Sequence, residues 1–417
     1  MSIESDSQKV STEVRDFYER YPYPPPRDNL DAYRRAWQDQ LRRRVQFHLF
    51  WPAHAYREDF SILIAGCGTS QAARHAMRWP AARVTGIDFS AVSLRHTEEL
   101  RRRYQLDNLR LQQLPLERAG ELAAGFDLIV CTGVLHHLPD PAAGLRALRG
   151  VLNPQGAMHL MVYAPYGRSG IYMLQEFCRG VGITANADGL QRLVEVLGAL
   201  PSGHPLARLL HEAPDFRTEA ALADALLHPR DRAYSVPQLF ELLTANGFEF
   251  SRWLRQGPYS IHCGVMSRIA APLQMAALPP ASQYAAAELF RGTMTHHSVI
   301  ACRDDEPQAA PLTGFAAEAW RGYVPLRTSE SFYVQQRLPV GAVALLANRG
   351  HVTSDTSLPI NARERRLLES VDGRSTIGEL LSQQTHASAE AVRAFFERLW
   401  WHDQVVFDTS AGTHTAP

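Results

Sequence analysis

Three short segments of this 417-residue chain carry residue types that could do chemistry. The first is Ile62-Leu63-Ile64-Ala65-Gly66-Cys67-Gly68-Thr69-Ser70. Glycines directly after an apolar run let the backbone turn tightly and let a ligand approach with no Cβ in the way. The same pair could also serve a plain structural turn with no ligand. The second segment, Val84 to Ser90, places Asp88 at the end of another apolar run, 22 residues beyond Gly66. A carboxylate there can accept both hydroxyls of a ribose. It can also be simply a favourable charge at a helix N-terminus. The glycine turn upstream favours the ribose. The third segment runs from Phe126 to Leu138 and holds Thr132, Gly133, His136 and His137 just after its apolar run. Imidazole titrates near neutrality, so His137 and His136 are the candidate general bases. Either could instead be a hydrogen-bonded wall of the pocket.

These segments need elements that bring them to one place. Phe60–Ala65, Arg83–Ile87, Leu109–Gln113, Phe126–Cys131 and Met158–Tyr163 read as strands, alternating with helices at Ser70–Trp79, from Ser90 to about Tyr104, and from Pro141 to before Pro154. Ser90 and Asp140 are good N-caps, and Pro141 suits a first helical turn. Alternation of this kind favours a doubly wound parallel sheet, and ligands bind such sheets beyond the carboxyl ends of the strands, where the strand order reverses. Residues 164–247 read as a mostly helical insertion. Phe248–Leu254 and His297–Cys302 then read as a closing pair of strands with a long insertion between them. A single helix is expected from Asp31 to Phe50.

In this order and spacing the three segments resemble class I S-adenosylmethionine-dependent methyltransferases, and Leu152-Asn153-Pro154-Gln155-Gly156 resembles the turn before that family's fifth strand. The resemblance covers roughly residues 60–165, and more loosely the last strands. It implies an α/β, Rossmann-like, doubly wound seven-stranded sheet with one antiparallel strand. It also implies S-adenosyl-L-methionine as cofactor, its methionine part over Gly66–Gly68, its ribose on Asp88 and its adenine against Phe89. Phe17-Tyr18-Glu19-Arg20-Tyr21-Pro22-Tyr23-Pro24-Pro25 resembles a lid that precedes the fold in some members; a strap packed on the core fits as well. The residues expected to line the cofactor are Tyr18, Tyr23, Ala65, Gly66, Cys67, Gly68, Gln71, Asp88, Phe89, Leu114, Pro115, Thr132 and Gly133. The chain departs from the family at Ile64, where an acid is usual, at Ser70, where a third glycine is common, and at Leu114-Pro115, where an acid often meets the adenine. A nicotinamide dehydrogenase is disfavoured, because Gln71 stands at the third glycine of the dinucleotide fingerprint.

Composition removes other classes. Basic and acidic residues balance at 43 each, and lysine is confined to Lys9, so a wholly basic nucleic-acid-binding protein is not expected. The arginine bias fits a codon-biased genome. The five cysteines are widely spaced with no CxxC, which fits a reducing cytoplasm and leaves no zinc module or disulfide framework. No run of about 18 apolar residues suggests a membrane helix, and the N-terminus lacks an apolar signal core.

Beyond residue 304 a linker is expected over 305–330, then strand character over Phe332–Ala347, helices at Asn361–Glu369, Thr376–Gln383 and Ser388–Trp400, a strand at Gln404–Phe407 and a polar tail from Thr409. Asn361–Glu369 with Val371–Leu381 resembles small winged-helix modules of the peptide-chaperone PqqD family. That resemblance implies a peptide added as an extra strand; a module that covers the pocket or supports a homodimer is the other reading. The expected organisation is thus an N-terminal lid or strap over 1–59, a methyltransferase domain over 60–304 with its helical insertion, the linker, and a winged-helix-like domain over 331–417. The expected function is methyl transfer to a small-molecule or peptide acceptor, in the cytoplasm, with no metal, nucleic acid or membrane partner. A non-catalytic sensor or peptide-binding partner that binds the cofactor is the alternative.

Overall fold

The computed structural model describes residues 13–212, 216, 218–305, 315, 318–351, 353–384 and 388–410. The first twelve residues of the expected lid, much of the expected linker and the end of the polar tail lie outside them. Two compact units emerge. The first comprises residues 1–35, 58–250 and 291–305; the second comprises 36–57, 251–290 and 306–417. These units do not follow the sequence-derived boundaries, because segments 36–57 and 251–290 fold with the C-terminal part.

The first unit is built on a seven-stranded sheet of β1 (Ser61–Ala65), β2 (Arg83–Asp88), β3 (Leu109–Gln113), β4 (Phe126–Thr132), β5 (Leu152–Tyr163), β6 (Phe248–Trp253, of which residues 251–253 count with the second unit) and β7 (His296–Arg303). Their order is β3-β2-β1-β4-β5-β7-β6. β1, β2, β3, β4 and β5 run parallel, and β7 lies antiparallel to β5, pairing Ala157 with Cys302 through Tyr163 with His296. This is the Rossmann-like fold expected. β1 is buried along its whole length, which is why its sequence is continuously apolar. The order reverses between β1 and β4, so their carboxyl ends open the crevice.

Local chemistry sets the elements. Ser90 accepts from Ser93 N–H to cap the helix Ala91–Arg103, and Asp140 accepts from Ala143 N–H ahead of Pro141–Val151. β5 begins at Leu152, six residues before the expected Met158, because a bulge takes up the intervening turn: Phe126 pairs with Leu152 but Leu128 already with Ala157. The Asn153 side chain donates to Asp127 there, at 3.0 Å. The helical insertion has its own core of Ile171, Leu174, Leu193, Leu206 and Leu226, joined by Phe17 of the N-terminal helix.

In the second unit β8 (Val324–Arg327) pairs with β12 (Val405–Asp408), and β9 (Ser331–Val334), β10 (Ala344–Asn348) and β11 (Leu358–Ile360) form a three-stranded antiparallel sheet. Helices Ala362–Glu369, Ile377–Ser382 and Ala389–Trp401 pack through Leu367, Leu380, Phe395, Phe396 and Leu399. Three expectations need correction here. The 305–330 linker contains β8, a four-residue strand too short to show a period. Phe332–Ala347 is two strands joined through a turn at Gly341, whose φ is +83°. The Asp31–Phe50 helix breaks in two, because Asp39 caps a new start by accepting from Leu41 N–H at 2.9 Å.

Candidate active site

The glycine turn is held from three sides. Gly66 and Gly68 have φ of +72° and +55°, the left-handed region that disfavours a side chain. A Cβ on Gly66 would come within 2.3 Å of Val134 Cγ2, so the backbone and the segment after β4 touch directly. The N–H groups of Gly66 and Cys67 both donate to Ile87 O at 2.9 Å, which ties the turn to the end of β2. Asp88 closes the arrangement: Oδ2 accepts from Gly68 N–H at 2.8 Å and Oδ1 from Ser90 N–H at 2.9 Å. Burial raises the Asp88 carboxyl, and the N–H groups of Ser90 and Gly68 work against that rise. Each carboxylate oxygen has a second lone pair, so these two bonds leave the group able to accept more.

A cavity of about 960 Å³ opens over this turn, and every residue lining it belongs to the first unit. Its volume is at the top of the range of about 300–1,000 Å³ usual for cofactor pockets. Tyr18, Tyr23, Gly66, Cys67, Gly68, Gln71, Asp88, Phe89, Leu114, Pro115, Thr132 and Gly133 all line it, as does His137. Two other expected residues do not. Ala65 is fully buried at the end of β1, and His136 is fully buried with, among the described residues, no hydrogen-bond partner on either ring nitrogen. Gln71 Nε2 donates to Thr132 Oγ1 at 2.7 Å, joining the helix Gln71–Arg78 to the end of β4. Thr69 Oγ1 donates to Pro24 O at 2.7 Å, which seats the N-terminal segment on the turn.

His137 is oriented. Its Nδ1 lies 2.7 Å from Arg230 O, a carbonyl that can only accept, so Nδ1 carries a proton, and in the neutral ring Nε2 holds the lone pair. His136 packs its ring 3.9 Å from that of Tyr163, and burial holds its pKa well below the ordinary imidazole value. Sequence reasoning missed the groups that the insertion contributes. Arg168 lies over the Tyr163 ring at 3.5 Å and pairs with Asp231 at 3.0 Å, while Asp224 accepts from the Tyr18 hydroxyl at 2.9 Å. Arg168 and Asp224 line the cavity, as does Glu117, an acid two positions after Pro115 whose burial raises its pKa. The fall of Glu117 just after β3 was the one signal in sequence for an acid on that side.

This geometry suits an adenosine-bearing cofactor: close backbone approach at Gly66 and Gly68, a strand-end carboxylate at Asp88, and apolar flanks at Phe89, Leu114 and Pro115. The comparisons agree. Residues 63–158 match the family model of a methyltransferase domain. Over these residues the chain is similar to methyltransferase domains. An uncharacterized protein of Synechococcus sp. is 32% identical over 256 residues, covering 58% of this chain and 59% of its own. The ubiquinone biosynthesis O-methyltransferase of Albidiferax ferrireducens is 34% identical over 96 residues, 23% of this chain and 38% of its own. The chain thus spans less than two thirds of the length of these relatives. In fold, the chain is similar to PKMT2 from Rickettsia typhi, solved in complex with AdoHcy: TM-score 0.62, 16% identity, 93% of this chain and 77% of that one. Among the described residues no helix is long and apolar enough to cross a membrane.

Proposed function

We propose that the protein transfers a methyl group from S-adenosyl-L-methionine to a small-molecule or peptide acceptor. The observation that supports this most is a single cavity lined at once by Gly66, Gly68 and Asp88 and by the oriented His137. When bound, the cofactor supplies an electrophilic methyl on a sulfonium, which needs alignment more than activation. The chain supplies the alignment. Gly66 and Gly68 give the methionine part close backbone contact, Asp88 accepts from the ribose, and Phe89, Leu114 and Pro115 flank the adenine. Thr132 and Gly133 wall the side toward His137. His137 Nε2 takes a proton where the acceptor must lose one. His136, sealed in protein, supports the Tyr163 ring and takes no part in proton transfer.

The peptide alternative draws support from the second unit, whose small sheet has β9 and β11 as edges. Such edges accept an added strand, as the winged-helix-like reading of this segment requires. A cytoplasmic location fits the five free cysteines. Calorimetry with S-adenosylmethionine and its demethylated product, followed by methyl-label transfer to candidate acceptors, tests the reading. Absence of binding refutes it. Tight binding with label transferred nowhere would replace the enzyme by a sensor.

A further inference from the structure

The helical insertion brings two buried carboxylates to the cavity region, and their surroundings differ. Asp231 is compensated: Arg168 Nη2 stands 3.0 Å away, with side chains 8% and 1% exposed, and Gln175 Nε2 donates to the same oxygen at 3.1 Å. Asp224 is 3% exposed and lines the cavity. It has the Tyr18 hydroxyl as its hydrogen-bond partner and, among the described residues, no cation at ion-pair distance. A buried carboxylate with one neutral donor is an unfavourable arrangement unless something positive joins it. Burial accordingly raises its pKa, with the hydrogen bond from Tyr18 opposing that rise.

The neighbours indicate what kind of positive group would fit. Nitrogen atoms of His137 and His228 and an oxygen of Asp224 lie within 4.8 Å of one another, close enough to invite a metal ion. The hydrogen bonds argue against it. Arg230 N–H donates to His228 Nδ1 at 3.0 Å, so His228 Nε2 carries the proton and has no lone pair to give. The set therefore offers acceptors at Asp224 and His137 Nε2 and an N–H at His228, beside the electron-rich ring of Tyr18, whose centroid is 6.2 Å from that of His137. Acceptors next to an aromatic face are the surroundings of an organic ammonium.

We propose that the acceptor is an amine, cationic in solution, whose ammonium binds Asp224 beside the Tyr18 ring and yields a proton to His137 Nε2. The nitrogen lone pair so freed forms the bond to the methyl carbon as the carbon–sulfur bond breaks, its electron pair remaining on sulfur. The product is the N-methylated ammonium and a neutral thioether. This inference rests on the methyltransferase reading above.

The test uses the full-length protein saturated with S-adenosylhomocysteine and two probes of one shape, phenethylammonium and phenethyl alcohol, with binding read by calorimetry. The ammonium is expected to bind about tenfold more tightly than the alcohol. Asp224→Asn is expected to erase that preference. An alcohol that binds wild type as tightly as the ammonium overturns the proposal. So does failure of both probes to bind, or an Asp224→Asn protein that keeps the full preference. Should that variant not fold, the wild-type comparison alone decides. Failure of S-adenosylhomocysteine itself to bind is a separate result, and removes the methyltransferase reading beneath.

Discussion

The Tyr18 hydroxyl donates to Asp224 across 2.9 Å, joining positions 206 residues apart. Burial raises the pKa of both groups, so the phenol remains a donor. The bond ties the N-terminal helix to the helix Glu219–Leu226, and both residues line the cavity. Tyr18→Phe is expected to cost about 1.5–3 kcal/mol, the range for a bond to a charged acceptor. Urea unfolding measures this; an unchanged midpoint would show that the bond contributes nothing.

Asp88→Ala is expected to weaken cofactor binding more than tenfold. It removes the ribose acceptors, charge-assisted bonds of about 1.5–3 kcal/mol each, and frees the Gly68 N–H that shapes the turn. Calorimetry with S-adenosylhomocysteine gives the ratio, and a loss below threefold would place the ribose elsewhere.

Gly66→Ala meets two obstacles, the left-handed backbone and a contact of 2.3 Å with Val134. A loss of about 1–3 kcal/mol is expected, with impaired cofactor binding. Adding Val134→Ala should recover part of the stability by relieving the contact, though not the backbone strain. A double variant no better than the single one would show that the backbone conformation accounts for the whole effect.

The adjacent histidines should separate cleanly. His137→Gln is expected to lower methyl transfer by about 10²–10⁴-fold for an acceptor that must lose a proton, and to leave cofactor affinity intact. His136→Gln is expected to lower stability while the surviving activity keeps its pH profile. Exchange of these two outcomes would assign the base to His136.

The second unit should weaken in acid. Burial lowers the His402 pKa to about 4 from 6.5, outweighing the hydrogen bond it gives Arg398 O. A depressed folded pKa contributes stability that is fully present above 6.5 and lost as pH falls toward 4. Asp403 acts in the same direction at lower pH: burial would raise it, but the hydrogen bond from His351 and the charges of Arg252 and Arg255 hold it below the ordinary carboxylate value. Urea midpoints should therefore fall from pH 7 to pH 5, and His402→Gln should flatten that slope. A flat wild-type profile would contradict the assignment.

The sequence made the cofactor side legible because its signals are local. Gly66 and Gly68 follow an apolar run, Asp88 ends the next, and the crevice rule supplies the rest. The histidines show the limit. In Leu135-His136-His137, one short turn sends one ring into the core and the other to the cavity, and no periodicity distinguishes neighbours in a three-residue turn. Asp224, Asp231 and Arg168 were illegible for another reason. They lie on separate parts of the insertion, and each meets its partner only through tertiary packing. The second unit's claim on residues 36–57 was hidden in the same way. His48 and Arg44 there reach Asp408 at 3.3 and 3.4 Å, contacts between the two ends of the chain.

That interleaving bears on how the protein can be taken apart. The second unit draws on three stretches of chain, so no single cleavage releases it whole. Cutting after residue 330 would strand the helix Gln40–Phe50, whose Phe47, Leu49 and Phe50 are buried, without the strand Val405–Asp408 it packs on. The C-terminal segment is therefore no detachable appendage. A chimera that exchanges it alone should misfold, and gain or loss of this segment by simple fusion would have required the upstream stretches to change with it.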